Sequence, residues 1–183
     1  CLENGWLYFR GNENNLIDRY YNCAIKFNCK IIMRLTSDCP LIDYNILDEM
    51  IYKFLNKKVD YMDSFHYGSG SFAGFPDGFN PEIFKFECLE NAYKNSKDDY
   101  EKEHIAPFMH RNYKVNYFKL SIDKKYLEKI NLNNLHLSLD TKQDLDNLKK
   151  IINYFKNKNF SYIDVLEYLS NLPNNEKKKF YKL

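Results

Sequence analysis

Short apolar runs alternate along this chain with longer stretches of helical spacing. Trp6 to Phe9 is a four-residue apolar run that predicts a short strand. In residues 12–27, Leu16, Ile17, Tyr20, Tyr21, Ala24 and Phe27 recur at the three-to-four-residue interval of an amphipathic helix. Residues 30–35 (KIIMRL) are nearly all apolar, as in a buried parallel strand, and Arg34 inside that run needs a partner. Residues 43–55 predict a helix with Asp43 as its N-cap, and 59–64 (VDYMDS) a third strand.

The pattern then breaks. Residues 66–82 (HYGSGSFAGFPDGFNPE) are rich in Gly and Pro and predict a structureless stretch, a mobile flap over a cleft. A strand (EIFKF) and a helix (ECLENAYKNS) follow, then a helix over 99–112 interrupted at Pro107, then a strand over 114–120. Residues 135–140 (LHLSLD) alternate apolar and polar like a half-buried strand. Residues 141–155 predict a helix with Leu145, Leu148, Ile151, Ile152 and Phe155 inward, and another helix starts near Tyr162. The end, NNEKKKFYKL, reads as a solvated tail. Strands alternating with helices predict one α/β domain over 1–183 with a largely parallel sheet. Ligands of such sheets sit beyond the carboxyl ends of the strands.

Composition narrows the function classes. A length of 183 residues with 16 Tyr and 14 Phe supports one domain with a sizeable core. The formal charge of +2 points neither to nucleic acid nor to an acidic-substrate trap. The five cysteines, at 1, 23, 29, 39 and 88, are odd in number and lack C-x-x-C spacing, which disfavours disulfides and zinc and fits a reducing cytosol. No apolar run reaches the roughly 20 residues that span a bilayer.

Two acids lie just past predicted strands: Asp38 after 31–35, and Asp140 after 135–139. If those strands are parallel neighbours, both carboxylates reach one ligand-binding edge. Mg²⁺ favours such a site, with one or two carboxylates, waters and a substrate phosphate. Asp38 is equally able to end a strand in a D-C-P turn, and Asp140 to cap a helix with Gln143 three residues on. Spacing alone leaves both readings open.

Four collinear blocks add to this: "YFRGNENNLIDRYYNCAIKFNCKIIMRLTSDCPLID", "FPDGFNPEIFKFECLENA", "EKEHIAPFM" and "LHLSLDTKQDL". Together they resemble the spore coat polysaccharide biosynthesis protein F family, cytidylyltransferase-like proteins related to CMP-Kdo and CMP-sialic acid synthetases. The resemblance implies a three-layer α/β/α nucleotide-diphospho-sugar transferase-like sandwich with a mixed, mostly parallel sheet. It implies that Asp38 and Asp140 are the Mg²⁺ ligands and catalytic residues. The implied reaction moves CMP from CTP to an acidic or modified sugar with release of pyrophosphate, in surface or spore-coat polysaccharide synthesis. The implied partners are CTP and a sugar acceptor, with no nucleic acid and no membrane, in a cytoplasmic homodimer.

The resemblance starts after the family's opening strand and phosphate-wrapping loop. The expectation is therefore that the 183 residues alone do not turn over CTP. Asn80 and Pro81 stand where the family more often carries Asp and an aliphatic residue, and Asn12 stands for a more usual Ser.

Further substrate-binding candidates are Arg10, Asp77, Gly78, Asn80, Glu82, Glu103 and His104. Arg10 follows the first apolar run, where a surface Arg is the blander reading. Asp77 and Gly78 form a P-D-G turn that turn chemistry alone explains, and the resemblance places this turn over the acceptor. Glu82 opens a strand. Glu103 and His104 lie in the E-x-E-H block. Cys39 reads as a core filler, since a nucleophile needs a base that the sequence does not name. Two other readings stand beside the transferase: a glycosyltransferase of the same fold, against which the single Asp of TSDCP argues, and a non-catalytic remnant.

Overall fold

The computed structural model describes residues 1–66, 71–72, 75–119, 122–156 and 159–182. The elements run α1 (Leu16–Lys26), β1 (Ile31–Arg34), α2 (Tyr44–Lys57), β2 (Tyr61–Asp63), β3 (Phe65–His66), β4 (Ser71–Phe72), β5 (Glu82–Lys85), α3 (Phe86–Asn95), α4 (Asp99–Glu103), α5 (Ile105–Asn112), β6 (Asn116–Tyr117), α6 (Lys124–Leu127), α7 (Lys142–Phe155), α8 (Tyr162–Asn171) and α9 (Asn174–Lys177). The class is mixed α/β, as expected. One mixed sheet has the order β1-β5-β2-β6, and β3 pairs antiparallel with β4.

The chain divides into two compact units. The first comprises Cys1–Met33, Lys58–Met62 and Ile83–Asn116. Asn15 caps α1 by accepting from Asp18 N at 3.0 Å. Its apolar face, Ile17 and Ala24, joins Tyr61, Phe84, Cys88, Leu89, Ala92, Ile105, Phe108 and Met109 in one core. Each large apolar side chain buried there stabilises by about 1.5–3 kcal/mol. Tyr21 stacks on Tyr93 with ring centroids 4.1 Å apart. The segment 99–112 forms two helices that break at His104, not at Pro107. The pyrrolidine ring at 107 excludes the carbonyl four residues back, that of Glu103, so the break falls just after it.

The second unit comprises Arg34–Lys57, Asp63–Glu82 and Tyr117–Leu183. Its core gathers Met50 and Phe54 of α2, Phe75, Phe79, Phe118, Leu135, Leu137, Leu148, Ile151, Val165, Leu166 and Phe180. Asp43 is 7 % exposed and serves two helices. Its Oδ1 accepts from Asn45 N at 2.8 Å at the start of α2, and its Oδ2 accepts from Tyr162 N at 2.7 Å at the start of α8.

Several expectations need correction. Trp6 to Phe9 is not a strand, and Trp6 and Leu7 are exposed. An apolar run becomes a strand only with an edge to pair with, and no described strand pairs with this one. β1 is half-buried rather than buried, with Ile31 exposed, because it lies at an end of the strand order. Residues 135–140 make two isolated bridges, Asp77 with His136 and Leu135 with Tyr181, rather than a strand. The flap expected over 66–82 is partly core: Phe75 and Phe79 are 0 % and 1 % exposed, while 67–70 and 73–74 lie outside the described residues.

In α7 the inward face is Asn147, Leu148 and Ile151, and Leu145 and Ile152 face out. Asn147 is tolerated inside because its amide donates to Lys179 O at 2.7 Å. The Lys-rich end is folded. Phe180 is 2 % exposed, and Lys177 Nζ donates to the carbonyls of Lys129 and Ser170 at 3.2 and 3.3 Å.

Candidate functional site

Asp38 and Asp140 both belong to the second unit, and backbone bonding brings their segments together: Leu139 N donates to Asp38 O at 2.7 Å. The capping reading of Asp140 falls away. Thr141 is the N-cap of α7, with Asp144 completing a capping box, so the Asp140 carboxylate is not spent on the helix. Its side chain is 51 % exposed, and Asp38 is half-buried.

The P-D-G turn abuts these segments. Asp77 N donates to Leu135 O at 3.2 Å, and Leu137 N donates to Asp77 O at 2.8 Å. Gly78 has φ of +103°, and a Cβ there would lie 2.5 Å from Leu137 C and 2.7 Å from Ser138 N. Both the conformation and the close approach demand glycine. Asn80 Oδ1 accepts from Gly78 N at 3.0 Å, so its side chain braces the turn.

Asp77, His136 and Asp140 each offer a donor atom within 4.8 Å of the others. His136 Nδ1 lies 2.7 Å from Asp77 Oδ2, and its Nε2 lies 3.3 Å from Asp140 Oδ2. Lys182 Nζ also donates to Asp77 Oδ2, at 2.7 Å. Burial pushes the Asp77 carboxyl up, but the hydrogen bonds from Lys182 and His136 outweigh it and hold the group below its ordinary value. The same balance acts on Asp144, where Thr141 and His136 oppose burial and the carboxyl ends below its ordinary value.

Of the other candidates, Glu82 is 3 % exposed and its Oε1 accepts from Arg34 Nη1 at 2.7 Å. This ion pair supplies the partner that Arg34 was expected to need. Arg10, Glu103 and His104 belong to the first unit. Arg10 and Glu103 are exposed, and the His104 ring meets Tyr100 edge-on at 4.8 Å. Cys39 is 7 % exposed, its Sγ is 3.0 Å from Thr36 Oγ1, and burial pushes its thiol up to about 12. A thiol held protonated is no nucleophile.

His136, Ser138 and Lys182 were not among the candidates. The alternation in LHLSLD does place residues 136, 138 and 140 on one side of an extended segment, so the first two were within reach of the sequence. Nothing local marks Lys182.

The donor set suits Mg²⁺ at Asp38 and Asp140. Both are carboxylates, both are at least partly open to water, and neither caps α7. Among the described residues no helix is long and apolar enough to cross a membrane.

Comparison with known proteins agrees with this architecture. The chain is 27 % identical along its whole length to an uncharacterized protein of Methanocaldococcus jannaschii, of which it spans 73 %. It is 26 % identical, over 82 % of its length, to the spore coat polysaccharide biosynthesis protein SpsF of Bacillus subtilis, of which it spans 59 %. A cytidylyltransferase structure from Leptospira borgpetersenii superposes with a TM-score of 0.81 and 33 % identity, covering all of this chain and 71 % of that one. The sequence profile of cytidylyltransferases matches residues 3–180, and on that extent of agreement the chain belongs to the cytidylyltransferase family.

Proposed function

We propose that this protein transfers CMP from CTP to a hydroxyl of an acidic or modified sugar, releasing pyrophosphate, in the synthesis of a surface or spore-coat polysaccharide. Family membership supports the nucleotidyl transfer, and the sugar and the pathway are the finer part of the reading. The observation that supports it most is the 2.7 Å bond from Leu139 N to Asp38 O, because it sets two carboxylates, neither of them capping α7, on adjoining segments.

Asp38 and Asp140 would hold Mg²⁺ through their carboxylate oxygens. The ion would neutralise charge on the phosphate oxygens of CTP. The acceptor oxygen forms a bond to the α-phosphorus while the bond from that phosphorus to pyrophosphate breaks, and the hydroxyl proton leaves to solvent. Asp77, Gly78 and Asn80 hold the turn assigned to the acceptor in a fixed shape. Glu82 acts through its pairing with Arg34. A homodimer in the cytoplasm completes the proposal.

The test is pyrophosphate release with Mg²⁺ from residues 1–183 joined behind the family's opening strand and phosphate-wrapping loop, across CTP, UTP, ATP and GTP and a panel of neutral and acidic sugars, with residues 1–183 alone expected to stay inactive. Release is expected with CTP and an acidic or modified sugar together. A preference for another nucleotide, or for a neutral unmodified sugar, would sink the reading.

A further inference from the structure

We infer that His136 is a positioning residue: it holds Asp140 in the orientation that receives the metal ion, and it is itself anchored by Asp77. The inference rests on the proposal that Asp140 is a Mg²⁺ ligand.

The His136 side chain is 8 % exposed. Its Nδ1 is tied to Asp77 Oδ2 at 2.7 Å. Asp77 is fixed in turn by the Lys182 ammonium and by backbone bonds to Leu135 and Leu137. A buried ring with one nitrogen anchored this way presents its other nitrogen in a set direction. That nitrogen, Nε2, lies 3.3 Å from Asp140 Oδ2. Among the described residues the contacts of the Asp140 carboxylate run through Oδ2, which leaves Oδ1 for an ion. An Asp half open to water would otherwise spread over several rotamers, and binding would have to order it.

Two alternatives are weaker. Asp144 Oδ2 also lies 3.6 Å from His136 Nε2, but that oxygen already accepts from the Thr141 backbone N and hydroxyl at 2.7 Å each. It belongs to the cap of α7. Direct ligation of an ion by His136 and Asp77 is disfavoured by crowding at Asp77 Oδ2, which already receives Lys182, His136 and the Ser138 hydroxyl. An ion entering there would have to expel the ammonium of Lys182.

The test uses Mn²⁺ as a paramagnetic stand-in for Mg²⁺, with affinity read by electron paramagnetic resonance in the presence of CTP. The natural protein is compared with D140N, H136N and H136Q, and thermal unfolding of each variant checks the fold. The Asn amide replaces Nδ1 and keeps the tie to Asp77; the longer Gln amide replaces Nε2 and reaches toward Asp140. Expected are loss of tight Mn²⁺ binding in D140N, a drop of about 10–100-fold in H136N, as for other groups that orient metal ligands, and recovery of much of it in H136Q. Undiminished affinity in H136N beside a loss in D140N overturns the inference and leaves the metal reading standing. Undiminished affinity in D140N overturns the metal reading itself. Rescue by Asn but not Gln shows that the ring serves Asp77 rather than Asp140. A ¹⁴N coupling to bound Mn²⁺ in the natural protein shows direct ligation. Either of these last two results also overturns the inference.

Discussion

Leu139 donates its backbone N–H to the carbonyl oxygen of Asp38 at 2.7 Å, and this one bond joins the two segments that carry the proposed metal ligands. Side-chain substitution leaves it intact, so the two acids can be removed without parting the segments. With the family's opening strand and phosphate-wrapping loop joined ahead of residue 1, D38N and D140N are each expected to lower turnover by at least ~100-fold, since even outer-shell partners of metal ligands cost 10–100-fold, while unfolding midpoints stay close to that of the protein without either substitution. Turnover within a few-fold of that protein in both would remove the metal assignment.

Gly78 meets the backbone of Leu137 and Ser138 with no room for a methyl group. G78A is expected to destabilise by more than ~1 kcal/mol from the positive φ, with about 1–3 kcal/mol more from overpacking. Urea unfolding measures it, and a midpoint unchanged in G78A would show that the turn yields easily.

Asp43 caps at two helix starts at once. D43A leaves the N–H groups of Asn45 and Tyr162 without their acceptor, at a cost of about 1–3 kcal/mol, toward the upper end because the site is buried. D43N keeps an oxygen for one of the two and should fall between D43A and the natural protein. Equal midpoints for D43A and the natural protein would contradict the double role.

Asp164 accepts from the Ser161 hydroxyl and backbone N at 2.7 Å each, and these bonds hold its carboxyl below its ordinary value. A carboxyl lowered in the folded state stabilises above its unfolded value, about 4, and loses that contribution as pH falls through the folded value. The stability difference between the natural protein and D164A should be constant above about pH 5 and shrink steadily toward pH 2. A difference that grows on acidification would reverse the sign and refute the assignment.

The thiols should separate by burial. Burial pushes Cys39 up to about 12 and Cys88 up to about 11, whereas Cys1 is exposed. With iodoacetamide at pH 8, mass spectrometry should find Cys1 modified first, and Cys39 and Cys88 modified only after denaturation. Rapid alkylation of Cys39 in the folded protein would reopen its reading as a nucleophile.

What the sequence determined by itself was the content that repeats locally. The periodicity of Leu16, Ile17, Tyr20 and Ala24 made α1, because a helix face needs only its own spacing to be recognised. The four collinear blocks carried the family and the α/β class. Asp38 and Asp140 stood out because each follows a predicted strand, and the polar half of LHLSLD already held His136 and Ser138. The tertiary structure decided everything that depends on a distant partner. Among the described residues Trp6 to Phe9 found no strand to pair with, and the Lys-rich end folded because Phe180 found a core and Lys182 found Asp77. Thr141 rather than Asp140 capped α7, since the choice between neighbouring caps turns on backbone angles that composition does not encode. Gly78 was readable as a turn residue, but the approach of the Leu137 backbone that forbids a side chain there comes from a segment remote in sequence. Hydrophobic period is a property of neighbours along the chain, whereas hydrogen-bond partners and steric room are set by which remote segments the burial of that hydrophobic surface brings together.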